Sequence, residues 1–147
     1  MTEPTSDFWG ELSVEPTPAD ILLEQAEALG LKTKNVLEGL LLPDIDQKKQ
    51  EVRVRFAVRA PTLEYQTTLF ELRYSMLSPY PCSIVETLTE EQVEVEFRFD
   101  GQTHQIKQKK SRSPANEQDL NQAVKEVLQS ENVQKLIKGL LAAVRVS

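Results

Sequence analysis

The segment Glu51-Val52-Arg53-Val54-Arg55-Phe56-Ala57-Val58-Arg59 decides the fold. Val52, Val54, Phe56 and Val58 fall on one face of an extended chain; Arg53, Arg55 and Arg59 fall on the other, with Ala57. This period of two marks a half-buried antiparallel strand. Its partner follows at once. Ala60-Pro61-Thr62-Leu63-Glu64-Tyr65 turns the chain, and residues 66–76 set Thr68, Phe70, Leu72, Tyr74 and Met76 on the core side. Keeping both apolar faces inward predicts Val58 opposite Thr68, Phe56 opposite Phe70, Val54 opposite Leu72 and Val52 opposite Tyr74. That register sets Arg55 against Glu71, a favourable cross-strand pair. It also sets Arg53 against Arg73, which is unfavourable unless an acid joins them.

Further along, Val93, Val95, Phe97 and Phe99 alternate with Glu94, Glu96 and Arg98. Asp100-Gly101 then supplies the two residues that a type I′ hairpin turn needs at positive φ. The hairpin pairs Phe99 with Gln102, Phe97 with His104, Val95 with Ile106 and Glu94 with Lys107. A shorter strand covers Ile84 to Leu88, after the break at Ser78-Pro79-Tyr80-Pro81. Upstream, Lys32 to Leu42 reads as either a strand or a short helix. Gly39 and a terminating Pro43 favour the strand, with Pro43 to Gln50 as a polar turn. Ser111-Arg112-Ser113-Pro114 reads as a linker.

Helices flank these strands. Thr17 caps one over 18–29, with Pro18 at its first position, Asp20 at the positive dipole end and Gly30 as a left-handed stop. Two amphipathic helices close the chain, at about 116–129 and 130–144, the second capped by Ser130. Segregated helices and antiparallel strands predict an α+β fold: an N-terminal helix, a sheet of five or six strands in meander-like order, and two C-terminal helices on one face. The 147 residues suit a single domain over 17–147, preceded by an acidic mobile arm over 1–16.

The charge is unevenly spread. The net −6 divides into −5 for residues 1–20, which carry five acids and no base, and −1 for the rest, with 18 acids and 17 bases. Residues 101–114 carry Lys107, Lys109, Lys110 and Arg112 and no acid. The chain pI near 4.9 argues against nucleic acid as the main partner, because phosphate neutralisation supplies most affinity there. No apolar run suits a membrane span. The single cysteine, Cys82, fits a reducing compartment, so the expected location is the cytoplasm.

Candidate chemistry is sparse. No phosphate loop, zinc or nucleophile-elbow motif is present. Asp44-Ile45-Asp46 lacks the glycine and glutamate of a calcium loop and reads as a turn. One thiol and one imidazole, Cys82 and His104, supply too few ligands for a structural zinc site. The sequence therefore indicates no catalytic residues, metal or cofactor. Tyr80-Pro81 after a strand, in a helix–meander–helices order, faintly resembles ubiquitin-conjugating and RWD-type folds. The chain has no His-Pro-Asn segment, and its cysteine adjoins Tyr80-Pro81, so no function is carried over.

The interaction candidates are Phe8 and Trp9 in the arm, the row Arg53, Arg55, Arg59 and Arg73, and Lys107 and Lys109. Phe8 and Trp9 are expected to dock on the protein's own body, held loosely by charge and displaceable by a partner. The function expected is a non-catalytic interaction protein (adaptor, chaperone or immunity-type binder) with a protein partner and self-association left open. The alternative is a small ligand-binding domain or enzyme using Cys82, His104 or the arginine row. An apolar pocket between sheet and helices, polar at its mouth, would favour that alternative. Gly101→Val should lower stability by about 1 kcal/mol or more, because a β-branched residue resists positive φ. Thermal melting checks this; an unchanged melting temperature would refute the turn.

Overall fold

The computed structural model describes residues 7–88, 92–99, 102–109 and 111–147, with 92–99 and 102–109 described as backbone. Helix α1 (Pro18–Lys32) leads into β1 (Glu38–Asp46), β2 (Glu51–Ala60) and β3 (Tyr65–Ser75). After them come β4 (Ser83–Glu86), β5 (Gln92–Phe99), β6 (Gln102–Lys109), β7 (Ser111–Arg112), α2 (Glu117–Leu128) and α3 (Glu131–Arg145). Five strands form an antiparallel sheet in the order β1-β2-β3-β4-β7, and β5 and β6 pair as a separate hairpin between β4 and β7. The α+β class, the meander and the two closing helices are those expected from the sequence.

The β2–β3 register agrees over Val52–Tyr74, Val54–Leu72 and Phe56–Phe70. It then slips. Ala57 faces Thr68 and Val58 faces Thr67, so Leu69 is left unopposed in a β-bulge. A bulge breaks strict alternation. Leu69 and Phe70 are both buried as a result, and so are Ala57 and Val58. The expected pairing of Val58 with Thr68 is thereby corrected. Strand β3 stops at Ser75, and Met76 is 46% exposed rather than in the core. The β5–β6 register matches all four expected pairs, Phe99–Gln102, Phe97–His104, Val95–Ile106 and Glu94–Lys107. Asp100-Gly101 itself lies outside the described residues.

Three boundaries differ from expectation. Helix α1 runs through Gly30 to Lys32, and the positive φ values fall at Lys34 and Asn35 instead. Thr33 shapes this turn: its hydroxyl accepts from the Leu37 N–H at 3.1 Å and lies 2.8 Å from the Leu29 carbonyl. Strand β1 continues through Pro43 to Asp46, so Asp44 and Asp46 are strand residues rather than turn residues. Pro43 is accommodated because β1 is an edge strand, where a missing N–H is tolerated. Ser111-Arg112 is not a linker but pairs with β4, Arg112 opposite Ile84.

The helices cover one face of the sheet. Ile21, Leu22 and Ala26 of α1, Leu120, Val124 and Val127 of α2, and Val133 and Leu140 of α3 join Val54, Phe56, Phe70, Leu72 and Ile84 in one core. Phe56 and Phe70 stack with centroids 5.2 Å apart. At the start of α1 the Asp20 carboxylate accepts from the Thr17 N–H at 2.6 Å. The Asn116 side chain caps α2 by accepting from the Asp119 N–H at 2.8 Å. Helix α1 lies closest to the sheet at Gly39, where an added Cβ would sit 2.5 Å from the Ala26 Cα.

Gly39→Val should therefore destabilise by about 2 kcal/mol or more, since the clash is with helix backbone. Gly139→Ala should stabilise by roughly 0.5–1 kcal/mol, because its added methyl meets nothing within 4 Å on a helix. Urea denaturation of both variants tests the pair. Equal stability of Gly39→Val and wild type would overturn the close-approach account.

Candidate functional site: a groove between the first and last helices

Helix α1 is held against the sheet edge, and α3 crosses from the end of α2. Between them lies a half-open groove of about 720 Å³. Phe56 and Val58 of β2 and Leu69 of β3 seal its floor. One wall is Gln25, Ala28, Leu29 and Lys32 of α1; the other is Val133, Ile137 and Leu141 of α3. The end of α2 closes one side with Leu128 and Gln129. Gln134 donates to the Leu128 carbonyl at 2.9 Å and ties the start of α3 to that end.

The interior is apolar and the rim is amide and ammonium. Lys32 and Lys138 are exposed, and the lining contains no carboxylate. Among the described residues neither lysine has an ion pair. The expectations from sequence missed this groove, because its floor depends on Leu69 turning inward at the bulge. The available signal was two adjacent apolar doublets, Ala57-Val58 and Leu69-Phe70, which strict alternation does not explain.

The other candidates lie elsewhere. Phe8 is 93% exposed and Trp9 is 79% exposed, so neither docks on the described body, contrary to expectation. Residues 7–17 form no helix or strand, and the arm's opposite charge does not supply the close apolar contacts that docking requires. The arginine row shares the sheet face away from the helices. Arg53 binds Asp46 and Glu51, both at 3.1 Å, and the Glu51 hydrogen bond and the Asp46 charge raise its pKa. Arg73 binds Glu71 at 3.3 Å. Acids on the same and neighbouring strands thus separate the facing arginines. Arg55 and Arg59 are exposed and have no ion pair among the described residues. Lys107 and Lys109 lie on β6, with Glu94 and Gln92 as their backbone partners.

Arg112, one of the four bases of the 101–114 strip, approaches Glu86 at 4.0 Å and binds Glu126 of α2. Glu86 is 5% exposed on the core face opposite Phe70. Cys82 is buried beside Pro114, whose carbonyl accepts from the Cys82 N–H at 3.0 Å. His104 sits on β6 opposite Phe97. Among the described residues no three His, Cys, Asp or Glu side chains gather as a metal site, and no helix is long and apolar enough to cross a membrane. Comparison with protein-family models, curated proteins and solved structures returns no match.

Burial pushes the Cys82 thiol up from its ordinary value. The unfolded chain ionises first, so this contribution to stability is complete below about pH 8.5 and is lost as pH rises through the higher folded pKa. Stability should fall as pH rises above about 8.5, and Cys82→Ala should flatten that decline. The thiol should also resist an aromatic disulfide reagent at neutral pH until the chain unfolds, and Cys82→Ala should leave function intact. Rapid labelling of the folded protein would contradict this assignment.

Proposed function

We propose that the chain is a non-catalytic interaction protein whose groove between α1 and α3 binds a short acidic, amphipathic segment of a protein partner. The observation that carries this reading is the lining itself: an apolar channel with no carboxylate, rimmed by Lys32 and Lys138, which have no ion pair among the described residues. Apolar side chains of a bound segment would enter the channel and release water. Its acids would meet the two ammonium groups, which adds selectivity and speeds encounter. A half-open groove of this kind suits a segment lying lengthwise, with anchors entering and the backbone remaining outside.

A second reading is the small ligand-binding domain: an apolar groove between sheet and helices with a polar rim is the feature expected of it, and the volume lies within the roughly 300–1,000 Å³ of small-molecule sites. The half-open shape, which would leave a small ligand partly in water, is what favours the segment. An amphipathic carboxylate would satisfy the same lysines. Neither Cys82 nor the arginine row lines the groove, so an enzyme built on them gains no support from it.

Fluorescence anisotropy on the full chain separates the readings. The probes are a dye-labelled peptide with two aromatic and two aliphatic residues among Asp and Glu, its Lys-substituted counterpart, and a long-chain fatty acid. The acidic peptide should bind, weaken with salt, and lose roughly 5- to 30-fold in affinity in the Lys32→Glu/Lys138→Glu variant. The basic counterpart should not bind. Equal binding of both peptides, or binding of the fatty acid alone, would overturn the proposal.

A further inference from the structure

The segment Asp7 to Glu15 has the chemistry that the groove selects. Phe8, Trp9, Leu12 and Val14 are 93%, 79%, 77% and 94% exposed, which concentrates four large apolar side chains in seven residues. Glu11 stands among them, Asp7 and Glu15 flank them, and the segment has no base. Apolar surface gathered on an exposed segment marks an interaction element. Its charge complements a rim that carries Lys32 and Lys138 and no acid.

The arm does not occupy the chain's own groove. Pro16 and Pro18 fix their own φ and force the residues before them, Glu15 and Thr17, to be extended. Thr17 has φ −119° and ψ 168°, as that constraint requires. The three residues before the helix, Glu15 to Thr17, span about 9 Å when extended, at ~3.1 Å each. The α1 side of the groove begins at Gln25, about 10 Å along the helix, and ends near Thr33, about 22 Å along it. From Val14 back to Trp9 the chain spans at most about 18 Å. In the single chain neither Phe8 nor Trp9 lines the groove, and both remain exposed. They are therefore available to the groove of a neighbouring molecule.

Resting on the groove reading above, we infer that two copies of the chain exchange arms, each seating Phe8, Trp9 and Leu12 in the α1–α3 groove of the other. Reciprocal seating closes a two-fold dimer with two identical contacts. The two aromatics bury about 300–500 Å² per arm. With two arms and the groove surface they cover, the total is about 1,200–2,000 Å², the range of specific interfaces. Glu11 and Glu15 meet Lys32 and Lys138 at the rim, where they set the orientation of the arm. The exposed arm is thus the donor half of a contact whose acceptor half is the open groove.

Sedimentation equilibrium of the full chain over increasing concentration, with Trp9 emission followed in parallel, tests the exchange. A dimer should form as the emission of the sole tryptophan shifts to the blue. Trp9→Ala should raise the dimer dissociation constant about thirtyfold or more. Lys32→Glu/Lys138→Glu should raise it roughly 5- to 30-fold. All three positions are exposed, so each variant should melt as the wild type does at concentrations where the wild type is monomeric. In a Cys82→Ala background, oxidation of a Glu11→Cys/Gln129→Cys variant should give a disulfide-linked dimer on a non-reducing gel. A cross-linked monomer would show that the arm docks in its own groove and overturn the exchange. A chain that stays monomeric with red-shifted Trp9 at every concentration overturns it too, as does a dimer indifferent to both sets of substitutions. If the acidic probe peptide still binds that monomer through Lys32 and Lys138, the groove reading stands and only the exchange falls; if it does not bind, both fall.

Discussion

Helix α1 can approach the sheet as it does only because Gly39 carries no side chain. A Cβ there would lie 2.5 Å from the Ala26 Cα and 2.8 Å from its carbonyl oxygen, so any larger residue must lift the helix. The contact pairs the smallest residue of the strand with a small residue of the helix, and it fixes the helix laterally as well as in height. Helix α1 consequently sits chiefly on β1, at one edge of the sheet. Ile21, Leu22 and Ala26 face inward from that position, while Ala28, Leu29 and Lys32 face the space above β2 and β3. Thr33 holds the turn from the helix into β1, so this placement is fixed from both ends.

The far side of the sheet is held by different means. Arg112 on the two-residue strand β7 approaches Glu86 on β4 and binds Glu126 on α2, which links the last strand, its neighbour and a helix. Glu86 is buried, and removing charges from water costs several kcal/mol per ion unless partners compensate. The Glu86 Oε2 and Arg112 Nε atoms have no hydrogen bond, so their attraction at 4.0 Å is electrostatic only. Such a pair gives position more than stability. Removing Arg112 alone would strand a carboxylate against Phe70, whereas an apolar replacement of both would be better tolerated. The helix-free sheet face follows another logic, with Asp46, Glu51 and Glu71 paired to Arg53 and Arg73.

Much of this architecture was legible because it rests on local periodicity. The alternation in 51–59 and the amphipathic stripes of the last two helices each reflect one face meeting water, and the 92–99 pattern set the backbone pairing of β5 with β6. The three β2–β3 pairs from Val52–Tyr74 to Phe56–Phe70 followed from keeping two apolar faces together. What escaped depends on contacts distant in sequence. Gly30 resembles a helix stop, yet Thr33 and the positive φ of Lys34 and Asn35 end α1 later. Pro43 resembles a strand stop, yet an edge position tolerates it. The bulge at Leu69 has no turn residue to announce it and is visible only as adjacent buried residues that alternation cannot place. The groove inherits that obscurity. Of the candidate residues read from sequence, Phe8 and Trp9 alone enter the binding argument, through their exposure rather than the docking expected of them.

The groove is what this packing leaves open. A helix with its side chains is about 10–12 Å across, and strands lie about 4.8 Å apart, so one helix covers little more than two strands. Gly39 holds α1 over β1, and the α2–α3 connection, braced by Gln134 on the Leu128 carbonyl, keeps α3 from sliding across to meet it. Closing the space above β2 and β3 from within would require longer side chains on the facing walls, yet α1 presents Ala28 there. The bulge moves Leu69 to the core side and seals the floor beneath. Together these constraints produce a channel that the body of the chain cannot fill by small adjustments, because α1 cannot move without breaking its seat on the strand. The same chain carries an acidic segment with four exposed apolar residues just before α1. A channel the body cannot close and a segment the body does not bury are complementary in polarity and in charge, which is the basis for proposing that they meet between molecules.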